Sequence, residues 1–145
     1  MAIYGAGSVW ESGEEMENFF TNNNFALGWN YTRAEDLYGL ISSVKAGDII
    51  YLKSKSPKSS RMNVKAIGIV TEPFVHHLIA NNIEFGVLMG MSGLTIGVKW
   101  VVKIPFELKI EEEHGKLTTF RPSTFYEEFL PSVQREIINH LTNQF

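Results

Sequence analysis

The amino-acid sequence predicts an α+β fold in which short helices, placed early and last, surround a curved or closed sheet. Three observations lead there. Runs rich in Val, Ile, Phe, Tyr and Trp, bounded by Gly, Pro, Ser or Asn, outnumber the stretches with helical periodicity. No internal repeat or linker interrupts the chain. Its 145 residues have the length of one typical domain, expected to span 1–145. A chain of that size can bury roughly 68–70% of its unfolded surface without a metal or a disulfide.

The elements follow in order. Ala2–Gly5 reads as a short strand. Ser12-Gly-Glu-Glu15 has capping-box spacing, with the Ser12 hydroxyl accepting a helix N–H and Glu15 reaching back. Met16, Phe19 and Phe20 then form an i, i+3, i+4 apolar stripe, and that helix should end near Asn22–Asn24. Phe25–Trp29 reads as a strand. Thr32-Arg-Ala-Glu35 repeats the capping-box spacing ahead of a helix whose buried face is Leu37, Leu40 and Ile41. Lys45-Ala-Gly-Asp48 is a turn feeding the β-branched strand Ile49–Lys53, with Asp48 bonding its own backbone. Ser54–Ser60 is a loop, and Val64–Thr71 is a strand. Ile83–Met89 and Thr95–Ile104 read as strands. Phe106–Ile110 is expected to pair with Lys116–Phe120. Thr124 and Glu127 have capping-box spacing again, as an anchor for the last helix. Pro131 opens that helix, and Val133, Ile137 and Leu141 form its apolar stripe.

Composition narrows the function. The chain has no cysteine, which removes thiolate nucleophiles, disulfides and Cys-based zinc sites together. The opening residues lack a basic region and turn acidic early, so no signal peptide is expected, and the longest apolar runs are too short to span a bilayer. A cytoplasmic location is expected. The net charge of −3 argues against a general polyanion binder. Basic residues are nevertheless concentrated between Lys53 and Lys65, with no acidic residue among them.

Several segments occur in a recognisable order: Gly5-Ala-Gly7 with Trp10, Phe25-Ala-Leu-Gly-Trp29, Asp36-Leu-Tyr, Gly47-Asp48-Ile-Ile-Tyr51, Ala66-Ile-Gly-Ile-Val70 and Val98-Lys-Trp100. Over roughly the first two-thirds of the chain this succession resembles the PUA-like superfamily, and within it the EVE-type domains found in modification-dependent restriction endonucleases. The resemblance implies a mixed β-barrel of five or six strands with short peripheral helices and an aromatic-lined pocket for a flipped base. Extruding a base costs a few kcal/mol, recovered by aromatic stacking and hydrogen bonds to the base edge. No nuclease or ATPase domain accompanies these residues, so downstream chemistry would fall to a partner protein.

The candidate base-stacking residues are Trp10, Trp29, Tyr31, Tyr51 and Trp100; a tryptophan taken alone is more often a core residue than a pocket one. Trp29 stands out because it ends a strand just before the Asn30-Tyr31-Thr32 turn. Lys53, Lys55, Lys58 and Arg61 suit phosphate contacts that position a strand without reading it, although a solvated loop has the same composition. Gly5 and Gly7 read as turn formers. His76 and His77 are adjacent rather than spaced for one metal, and His114 and His140 read as solvent-facing. No metal, cofactor or catalytic triad is implied, so the sequence predicts a binding module rather than an enzyme. The expected partner is DNA or RNA carrying a modified base, with no membrane. The alternatives are a regulatory or protein-interaction subunit, which could form a homodimer through the apolar tail Ile137–Phe145, and a small-ligand-binding domain.

Overall fold

The computed structural model describes residues 1–10, 12–28, 34–54, 61–74, 76, 79, 95–109 and 124–145. The chain runs through β1 (Ile3–Ala6), β2 (Val9–Trp10), β3 (Gly13–Glu14), α1 (Met16–Asn22), β4 (Asn24–Ala26), α2 (Glu35–Ile41), β5 (Ile49–Ser54), β6 (Arg61–Glu72), β7 (Thr95–Val102), β8 (Phe106–Lys109), β9 (Phe125–Glu127) and α3 (Pro131–Thr142). This is the α+β fold that the sequence predicts. Among the described residues, seven strands join one mixed sheet in the order β4-β7-β6-β5-β1-β9, with β8 paired to β6, while β2 and β3 form a hairpin of their own. β1 and β5 are parallel, and α1, β4 and α2 supply the long crossover that a parallel pair needs. The pairs β1–β9, β4–β7 and β6–β8 are antiparallel.

Packing divides the chain into two compact units. The first holds Met1, Ser8–Asp48 and Ile69–Lys99. Its core is aromatic: Phe19 meets Phe25 edge-on at 5.2 Å, and Tyr38 lies 5.9 Å from Phe74. α1 ends at Asn23, whose left-handed φ of 51° suits an asparagine and lets its N–H reach the Phe19 carbonyl. The Asp48 turn forms as expected. Gly47 takes a φ of +93°, and the Lys45 N–H donates to the Asp48 carboxylate at 2.8 Å. The Gly47 N–H then donates to the Val70 carbonyl and the Val70 N–H to the Asp48 carbonyl, both at 2.8 Å.

Neither early helix is capped as its spacing predicts. α1 starts after Glu15, with no side-chain cap. Gly13, at φ +121°, pairs with Trp10 across the β2–β3 hairpin, which takes Ser12 into the turn. Ser12 therefore donates to the Glu15 carboxylate at 3.1 Å instead of accepting from the backbone. α2 has Ala34 at its N-cap, and its fully buried residues are Tyr38 and Ile41. Leu37 and Leu40 are half-buried, because the turn of the helix aims the larger phenol at the core.

The second unit holds Ala2–Gly7, Ile49–Gly68 and Trp100–Phe145. Tyr4 and Phe125 stack at 5.4 Å on one face of the β5-β1-β9 portion. α3 begins at Pro131 and buries Val133, Ile137 and Leu141, as the periodicity predicts. Two expectations here are corrected. Thr124 and Glu127 do not cap a helix, because Phe125–Glu127 is a strand paired to β1. The helix start is fastened by Glu128 instead: its carboxylate accepts the Leu130 N–H at 3.2 Å and its carbonyl accepts the Gln134 amide at 2.8 Å. His140 does not face solvent alone; its ring stacks on Phe106 at 3.6 Å. With Ile137 and Leu141 turned inward, the C-terminal tail leaves Phe145 as its large exposed apolar side chain. β8 pairs with β6, and the expected Lys116–Phe120 partner lies outside the described residues, as do Ile83–Met89 and most of Ser54–Ser60.

Candidate functional site

Two arrangements concentrate aromatic and charged side chains, one in each unit. In the second unit, Gly5 on β1 is in register with Tyr51 on β5 and with Tyr126 on β9. Registered residues share a face, so both phenols flank the bare glycine backbone. A Cβ on Gly5 would lie 2.5 Å from Tyr126 Cζ and 2.8 Å from Tyr51 Cζ. Gly5 is thus not a turn former, as its sequence context implied, but a mid-strand gap over which two rings meet.

The rings meet through their hydroxyls, 2.7 Å apart and buried. Tyr51 also donates to Glu128 Oε1 at 2.6 Å. Burial, then the neighbouring Tyr126 and the Glu128 carboxylate, pushes the Tyr51 phenol far above its ordinary pKa. Lys53 follows Tyr51 by two residues and so shares its face; its Nζ lies 5.3 Å from the centre of the Tyr126 ring, a cation–π distance. Lys53 is 8% exposed and Glu128 5%. The four side chains place one cation and one carboxylate at the two ends of a bridge of phenols, which keeps each buried charge from standing alone.

In the first unit, Trp10 on β2 is half-buried. Its indole lies against the backbone of Gly28: a Cβ there would meet Trp10 Cγ and Cδ1 at 2.7 Å. Phe19 of α1 meets the indole edge-on at 6.0 Å. Gly28 is itself exposed, and the next residue in the sequence is Trp29. A half-exposed tryptophan with one neighbour fixed by a helix and another by a glycine backbone is a rigid stacking surface at low entropic cost.

The other expected site residues fall differently. Tyr51 has no exposed surface and its hydroxyl bonds Tyr126 and Glu128, and Trp100 is 6% exposed, so in this structure neither ring presents a face. Arg61 is exposed and lies 3.8 Å from Glu107. Trp29, Tyr31, Lys55 and Lys58 lie outside the described residues. Sequence reasoning did not single out Gly28 or Glu128. Their signal was available only as a glycine or an acid beside aromatic strands, a pattern too common to act on. Among the described residues no group of three or more His, Asp or Glu could hold a metal, and no helix is long and apolar enough to cross a membrane.

The fold is similar to that of a solved YTH domain. The YTH domain of the Zygosaccharomyces rouxii MRB1 protein, solved in complex with N6-methyladenosine RNA, matches 97% of this chain and 86% of its own, with a TM-score of 0.51. The two sequences are 14% identical, so the likeness is one of fold. No family model matches the chain. No curated protein matches it either.

Proposed function

We propose that this chain is a reader of single-stranded nucleic acid that recognises a modified base by aromatic stacking, within the PUA-like group of folds that its EVE-type sequence segments resemble. The observation that carries the reading is the fold shared across 97% of the chain with a domain solved on N6-methyladenosine RNA. That ligand makes methylated RNA the first candidate over DNA. Trp10, half-buried and held by Gly28 and Phe19, supports it, because base–aromatic stacking favours a ring already fixed in place. Trp29, directly after Gly28, is the second stacking residue we assign. Lys55 and Lys58 are assigned to the phosphate backbone. A base in a single strand is cheap to unstack, and a methyl group adds apolar contact area, so discrimination rests on shape and stacking.

Titration of the intrinsic tryptophan fluorescence with short RNAs, methylated and unmethylated at one adenine, tests this. Binding should favour the methylated strand. Trp10→Ala should weaken it by roughly ten- to a hundredfold, the worth of one stacked base. Equal affinity for both strands, or an unchanged affinity in Trp10→Ala, would sink the proposal.

A further inference from the structure

The basic segment that ends at Lys65 does not behave as one unit. Lys53 is turned inward onto the Tyr126 ring. From Arg61 on, β6 alternates: Met62, Val64 and Ala66 are buried, whereas Arg61 and Asn63 are exposed and Lys65 is half-exposed. Period-2 geometry puts Arg61, Asn63 and Lys65 in a row on one face, each about 6.7 Å from the next. That interval is close to the length of one nucleotide in an extended strand. All three side chains carry N–H donors, and two are cationic. A row of donors at nucleotide intervals fits a phosphodiester backbone and reads no bases. Across the register, Glu107 stands opposite Asn63 and 3.8 Å from Arg61, with both charged partners about 60% exposed. Exposed pairs of this kind are worth little, so the Glu107 contact is a small obstacle to a phosphate at Arg61.

We infer that the outward face of β6 is a phosphodiester track, on which Arg61, Asn63 and Lys65 contact successive phosphates of a single-stranded RNA. The inference rests on the nucleic-acid reading above and adds where the backbone runs. Glu107 is the brake on the track, because its charge repels the phosphate that Arg61 attracts.

The test measures affinity across a salt series for the unsubstituted chain, the double variant R61Q/K65Q and E107Q. The ligands are a short single-stranded RNA with one N6-methyladenosine, its unmethylated twin, and DNA of the same sequence. In R61Q/K65Q the slope of log K against log salt should fall by about 1.4, from two contacts at about 0.7 each on a single strand. The preference for the methylated strand should be unchanged, and the DNA slope should fall by the same amount. E107Q should bind every strand more tightly at low salt. An unchanged slope in R61Q/K65Q, with the methyl preference intact, overturns the track alone. A slope that falls on RNA but not on DNA also overturns it, since phosphates are common to both. A reduced slope with no methyl preference in any variant supports the track and overturns base reading. No binding by the unsubstituted chain overturns both.

Discussion

Because Tyr51 carries one hydroxyl proton and donates it to Glu128, the 2.7 Å contact with Tyr126 requires Tyr126 to be the donor. The chain of protons therefore runs from Tyr126 through Tyr51 to the carboxylate, and its two ends differ in cost. Tyr51→Phe strips the donor from a carboxylate that is 5% exposed and should destabilise by about 1.5–3 kcal/mol, as for hydrogen bonds to charged groups. Tyr126→Phe leaves an under-accepting phenol and should cost only about 0.5–1.5 kcal/mol. Urea unfolding measures both, and equal losses would refute the polarity. The same phenol sets a pH dependence. Tyr51, and Tyr38 by burial, have raised pKa values in the folded chain. Below the ordinary tyrosine value near 10 folded and unfolded chains hold the same phenolic protons, so stability is level. Above it the unfolded chain releases protons that the folded chain keeps, and stability should fall as pH rises. Tyr51→Phe, though less stable at neutral pH, should lose less between neutral and strongly alkaline solution than the unsubstituted chain does. A parallel loss would remove Tyr51 from the account.

At the scale of elements, two glycines make opposite predictions. Gly5 sits mid-strand between β5 and β9 with tyrosine atoms at 2.5–2.8 Å from any added Cβ. Gly5→Ala must push both rings and the three registered strands, and should destabilise by about 1–3 kcal/mol. Gly39 lies within α2, exposed, with nothing within 4 Å of a Cβ. Gly39→Ala should stabilise by about 0.5–1 kcal/mol through helix propensity and a less flexible unfolded chain. A thermal-unfolding pair with both shifts in one direction would contradict this contrast. The elements also show what a sequence reveals. α3 was legible because Val133, Ile137 and Leu141 repeat at helical spacing behind Pro131, and the Asp48 turn because its chemistry is local. The capping boxes misled: Ser12 and Glu15 do interact, but the hairpin turn at Gly13 competes for the same residues. β9 was missed because three residues carry no period, and it exists only through its pairing with β1. For the same reason the Tyr51–Tyr126–Glu128 chain, whose members are 75 and 77 residues apart, could not be read from spacing, whereas Trp10 and Arg61 could be nominated from residue type alone.

For the whole molecule, the chain path constrains how the fold comes apart. β6 contributes Arg61–Gly68 to the second unit and Ile69–Glu72 to the first, and β7 is divided between Lys99 and Trp100. Each strand is one continuous piece of chain, so melting either unit loosens one end of a strand whose other end belongs to the other unit. The two units should therefore unfold in one cooperative transition despite their distinct cores. Tryptophans are placed to report this, since Trp10 belongs to the first unit and Trp100 to the second. In variants that keep a single tryptophan, each corrected for its own substitution, the urea midpoints of Trp10 and Trp100 should coincide with each other and with the far-ultraviolet circular dichroism. An early Trp10 transition with Trp100 and most of the dichroism retained would show that the first unit melts alone. Strand continuity would then not couple the two cores, and binding at Trp10 would stabilise the first unit without raising the midpoint of the second.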